Sequence, residues 1–203
     1  MRRRTFDLIT SGVGLLLTAT LVVAGALLMW GAVFTTNEVH NQLAKQAIYF
    51  PPAAAFAHAK AGTEITPGMK PYLLKYAGQE VLTGAQAEAY ADHFIAIHLS
   101  EMPYHGVYSK IATAAMTNPT NTSLKTLEAV SFQGTTLRSM LLQAYAFGTI
   151  GSIAFLASII SFVLAGLMLV LSVAGFAHMR QVPVEKEVFA PKAAQNRAFN
   201  SAS

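Results

Sequence analysis

The chain has 203 residues, of which 53% are hydrophobic and only 12% charged, with a formal net charge of +4. That is too apolar for an ordinary soluble domain of this length. The basic pI of about 9.4 does not point to nucleic acid, because the excess positive charge sits at the two ends of the chain and the long segment between them is neutral.

Arg2, Arg3 and Arg4 precede an apolar run that extends from Asp7 to Glu38. A bilayer core needs about 20 apolar residues in helical form, so this run is long enough to cross it. A secretion signal of the twin-arginine kind begins similarly, but its apolar part is only about 7 to 15 residues long. This run continues through Leu27, Leu28 and Trp30 to Phe34, and cleavage after Ala26 would leave an apolar end. We therefore read an uncleaved anchor. Ser11, Gly14, Thr18, Gly25 and Ala32 recur at alternating spacings of three and four, with Leu21 and Leu28 filling the gaps, and so line one helix face.

Beyond Thr35-Thr36-Asn37, residues Val39, Leu43, Ala47 and Phe50 keep helical spacing, which predicts that the helix continues to Pro51-Pro52. Short helices follow. One covers the alanine-rich stretch after Pro52, and a second opens at Thr66-Pro67 and stops near Gly78. Thr83 is placed to cap a longer helix from Gly84 to Met102, with Ala87, Tyr90, Ala91, Phe94 and Ile97 on its apolar face and Glu88 and Asp92 elsewhere. Pro103-Tyr104-His105-Gly106 reads as a turn. Val107 to Met116 and Ser123 to Phe132 read as two further helices, and Thr135 as the cap of the next. No stretch alternates as a strand.

The second apolar run, from Arg138 to Arg180, has no charged side chain between its ends. Gly151, Ala154, Ser158, Ser161, Ala165, Ser172 and Gly175 mark its face at the same alternation, interrupted by Met168. Small residues on one stripe allow helix backbones to approach closely in lipid. Two matched stripes predict two antiparallel spans packed against each other, the alternative being packing of the same faces between copies in a homo-oligomer. The residues after His178 lack periodicity and read as a disordered tail, too short for an output domain.

The expected architecture is an all-α membrane protein: two antiparallel transmembrane helices, extended as a stalk, carrying a small extracytoplasmic helical domain. Its parts are a cytoplasmic N-terminus (1–7), a first span (8–35), the outer helical domain with the stalk extensions (36–146), a second span (147–177) and a cytoplasmic tail (178–203). Arg2 to Arg4 at one end, and Arg180, Lys186, Lys192 and Arg197 at the other, place both termini in the cytoplasm by the positive-inside rule. There is no cysteine, so the outer domain must be held by packing alone.

The outer histidines raise the question of a metal. His98 and Glu101 are three apart and could share a helix face, with His105 a further turn along, but Pro103 breaks the helix between them. His98, Glu101 and His105 are therefore weak metal candidates, and no cofactor is expected. The sequence has no nucleophile elbow and no phosphate loop, and its spans carry no acidic or basic residue at mid-depth. No catalytic residue is assigned.

Several strings together are familiar: Phe50-Pro51-Pro52, Tyr76 to Gly84, Gln86 to Ile95, and Leu137 to Tyr145 leading into the second span. Over nearly the whole chain except the tail they resemble an uncharacterised family of actinobacterial two-span membrane proteins. The resemblance implies a bacterial plasma membrane and carries no established activity. Some members bear the label of aromatic ring-opening dioxygenase. That chemistry needs iron held by two histidines and a carboxylate, and no such spacing stands out here. The leading expectation is a non-enzymatic accessory, scaffold or docking component of an envelope or membrane complex, with the bilayer and another membrane or envelope protein as partners. The alternative is a two-span sensor whose outer domain binds a small ligand and signals through a partner.

Overall fold

The computed structural model describes residues 3–181; of the tail expected from 178, residues 178–181 are still helical and the rest lies outside the described residues. The fold is all-α. Two long apolar helices, α1 (Arg3–Ala44) and α7 (Thr122–Gln181), flank five short ones: α2 (Ala53–Ala57), α3 (Lys70–Leu73), α4 (Gly84–Tyr90), α5 (Ala96–Glu101) and α6 (Tyr108–Thr117). At about 1.5 Å per residue, the 42 residues of α1 and the 60 of α7 both exceed the roughly 30 Å of a bilayer core. Only 17% of the most apolar window of each is buried. The core helix of a soluble protein is mostly buried, whereas these two present Leu16, Val23, Leu27, Ile153, Leu156, Leu167, Val170 and Leu171 outward. Apolar exposure on that scale needs lipid around it. The chain is a two-span helical membrane protein.

By internal contacts the chain forms two compact units, one of Met1–Trp30 with Ala154–Ser203 and one of Gly31–Ile153. In the first unit the two helices run antiparallel. A Cβ placed on Gly14 would overlap the Ser172 hydroxyl, and one on Gly175 would overlap that of Ser11. The Ser161 hydroxyl donates to the Leu21 carbonyl across the pair at 2.8 Å. Of the other hydroxyls on this face, Thr18 donates to the Gly14 carbonyl and Ser172 to that of Met168 within their own helices, and Ser158 donates to the Phe155 carbonyl with the Met29 sulfur across the pair at 4.0 Å. Each therefore has an acceptor where lipid would offer none.

The second unit has a genuine apolar core, in which Val39 and Leu43 of α1 and Leu141 of α7 meet Phe50, Phe56, Met69, Leu73, Val81, Ala87 and Ile95. Here α1 departs from the expected course. It ends at Ala44, and Ala47 takes φ +48. The reason lies downstream. Residues 48–51 leave the helix to pair with 78–81, Phe50 N–H donating to Gln79, Val81 N–H to Ile48 and Gly78 N–H to Pro51. This sets Phe50 between the rings of Tyr76 and Tyr90, at centroid distances of 5.1 and 5.5 Å. A left-handed alanine costs about 1–2 kcal/mol, which full burial of a phenylalanine, about 1.5–3 kcal/mol, offsets.

Thr83 caps α4 as expected, and the cap is reciprocal. Its hydroxyl accepts from Gln86 N–H, while the Gln86 side chain accepts from Thr83 N–H. The helix is wider than expected at Ala91–Ile95, where one π turn intervenes before α5. That extra residue per turn brings Ala87, Ala91 and Ile95 onto the buried side and leaves Phe94 and Ile97 only partly covered.

Thr135 does not cap a helix, because α7 runs without interruption from Thr122. The cap is Asn121, whose Oδ1 accepts from Leu124 N–H at 3.1 Å. Gly134, next to that expected cap, makes room for Leu99: an added Cβ would lie 2.9 Å from Leu99 Cδ2.

Candidate functional site

The small-residue seam is the first candidate surface. In the first unit Ser11, Gly14, Thr18, Gly25, Ser158, Ser161, Ala165 and Ser172 are buried, with Ala154 and Gly175 half-buried. A Cβ on Gly25 would sit 3.0 Å from the Phe162 ring. In the second unit Ala32 and Gly151 are buried together, and a Cβ on Gly151 would lie 3.6 Å from the Ala32 carbonyl. These residues place backbones close together and offer no charge, so their contribution is to packing.

The metal candidates are held apart. His98 Nδ1 lies 2.8 Å from the Phe94 carbonyl, which fixes the donor on that nitrogen, and its ring meets the Phe94 ring edge-on at 4.5 Å. Pro103 ends α5, and the following Tyr104 and His105 take φ +59 and +55, which turns His105 away from the helix axis that carries His98 and Glu101. Among the described residues no group of three His, Cys, Asp or Glu side chains converges in a way that could hold a metal ion. His93 is occupied otherwise, stacked on Tyr72 at 3.5 Å with the planes 3° apart.

Sequence reasoning missed four features of the second unit. Arg138 of α7 donates to Asp92 Oδ1 at 2.7 Å and ties the π turn to the long helix, although both side chains remain more than a third exposed. Gly84 and Gly148 meet face to face, and a Cβ on Gly84 would stand 3.1 Å from the Ala144 carbonyl and from Tyr145 Cα. A single sequence does not reveal which residues Gly84 and Gly148 meet. Tyr90 has its phenol pushed above the ordinary value of 10.0, first by burial and then by the Glu64 charge.

The fourth feature is a groove of about 320 Å³ between the outer stretches of α1 and α7. Phe34, Met140 and Phe147 form its apolar walls, each more than half exposed. Glu38, Gln42 and Gln143 supply its polar rim, and none of the lining residues is lysine, arginine or histidine. The Gln42 amide donates to Glu38 Oε1.

Comparison with protein-family models, with curated proteins and with solved structures gives no match. The functional reading therefore rests on this chain's own surfaces. Away from the spans, Tyr104, Val107, Tyr108 and Phe132 are all exposed, and the Tyr108 and Phe132 rings touch at 5.5 Å. The cluster is built by the turn after Pro103, which the Ser131 hydroxyl fastens to α7 by donating to the Gly106 carbonyl at 2.9 Å.

Proposed function

We propose that this protein is a non-enzymatic accessory component of a bacterial plasma-membrane or envelope complex. Both termini lie in the cytoplasm, and residues about 36–146 form an extracytoplasmic domain that docks another membrane or envelope protein. The observation that carries the reading is the exposed cluster around Tyr108 and Phe132. Phe132 precedes Gly151 on α7 by 19 residues, roughly 28 Å of helix, which puts it in water rather than in lipid. Contiguous apolar surface in water marks an interaction site, and aromatic residues are the side chains that anchor such contacts.

The basic residues at both ends support the orientation. The seam supports a packing role for the spans, and no arrangement of titratable groups on this surface suggests a reaction. The test is to recover the full chain from native membranes in mild detergent beside the Phe132→Ser and Tyr108→Ser variants. The reading expects one protein to co-purify in proportion to the wild-type chain and to be lost from both variants while their elution profiles stay unchanged. Recovery of the chain alone under several detergents would refute it.

A further inference from the structure

With the spans taken at 8–35 and 147–177, the groove between α1 and α7 falls at the level where lipid headgroups begin. On the span side of it Val33, Ile150 and Ile153 of the same unit are exposed, so that end faces acyl chains. The other end is rimmed by groups that suit a headgroup. Glu38 is the only charged residue in the lining, and the rest of the polar rim is neutral, mainly amide.

A carboxylate over apolar walls selects against an anionic headgroup and for one that carries an ammonium. The side-chain amides can donate to a phosphate. The geometry points to a bound phospholipid with a primary-ammonium headgroup, of the phosphatidylethanolamine class. Its ammonium lies at Glu38, its phosphate at the Gln143 amide and its upper acyl chain along Phe34 and Phe147. The site needs the two-span placement of α1 and α7 and no partner protein, so its fate is separate from that of the docking cluster.

The experiment reconstitutes the full chain in nanodiscs of equal phosphatidylethanolamine and phosphatidylglycerol and counts the lipids retained by native mass spectrometry. Phosphatidylethanolamine should be enriched roughly three- to fivefold, the scale set by one exposed charge pair. Glu38→Gln should abolish the enrichment, whereas Glu128→Gln, which is remote from the groove, should leave it intact. Phe147→Ser should reduce retention of both lipids. Equal retention of the two lipids by the wild-type chain, or enrichment that survives Glu38→Gln, overturns the proposal. So does a second copy in the groove: the chain has no cysteine of its own, and efficient disulfide formation between two Phe147→Cys chains in the membrane would reveal it.

Discussion

Leucine at Gly14 and leucine at Gly12 are the same substitution two residues apart on one helix, yet the structure assigns them opposite outcomes. A Cβ at Gly14 overlaps the Ser172 hydroxyl and lies 3.5 Å from Ser172 Cβ and 3.8 Å from Met168 Cε, whereas nothing stands within 4 Å of one at Gly12. Leucine at Gly14 adds three further carbons into that contact. Either Ser172 rotates off the Met168 carbonyl or the two helices separate. Overpacking of this kind costs about 1–3 kcal/mol. At Gly12 the side chain enters lipid, and replacing glycine inside a helix gains up to ~1 kcal/mol. That propensity gain is common to both sites, so the two variants should differ by the overpacking cost of about 1–3 kcal/mol, which for a chain of this size corresponds to roughly 2–12 °C in the midpoint of thermal unfolding. Fluorescence-detected size exclusion of heated samples in mild detergent reads this directly. Equal midpoints, or a lower one for Gly12→Leu, would refute the seam. The same reasoning ranks Ser158→Leu and Ala165→Leu, both at buried positions, as more damaging than Ile159→Ala and Leu164→Ala on the exposed side.

Gly78→Ala and Gly106→Ala both force a left-handed alanine, at φ +71 and +65, but only Gly106 also abuts the Leu99 carbonyl. Gly78→Ala should cost about 1–2 kcal/mol and Gly106→Ala clearly more by the same thermal assay; equal losses would remove the Leu99 contact from the account. Arg138 and Asp92 form a partly exposed pair, so a double-mutant cycle with Arg138→Gln and Asp92→Asn should give a coupling of at most about 1 kcal/mol. A coupling well above that would mean the pair is shielded from solvent. The folded state raises the Tyr90 phenol by burial and by Glu64 and thus holds its proton more tightly than the unfolded chain. That contribution to stability is full below the ordinary value of 10.0 and is lost as pH rises through the higher folded value. Tyr90→Phe should flatten the alkaline fall in unfolding midpoint, and an unchanged slope would contradict the assignment.

The spans and their small-residue faces were legible because periodicity within one helix is a local property: Ser11 to Ala32 and Gly151 to Gly175 announce a face without reference to anything distant. The Thr83 cap was legible for the same reason. What could not be read depended on contacts far apart in sequence. The helical spacing of Val39, Leu43, Ala47 and Phe50 said nothing of the pairing between 48–51 and 78–81 that takes Phe50 out of line. Gly134 and Thr135 carry the local marks of a helix start, and only Leu99, packed into the space left by Gly134, explains why α7 passes through them. The groove is made by two helices that are about a hundred residues apart in the chain, so none of its lining residues drew notice as a set.

The central claim is a chain that crosses the membrane twice and holds its helical region on the far side from both termini. Ala61 and Thr5 are exposed positions in a cysteine-free chain, and a single cysteine at each, probed with a membrane-impermeant maleimide, tests the claim directly. Ala61→Cys should label in intact cells, and Thr5→Cys only after permeabilisation. Labelling of Thr5→Cys in intact cells, with Ala61→Cys protected, would contradict the account and put the docking cluster in the wrong compartment.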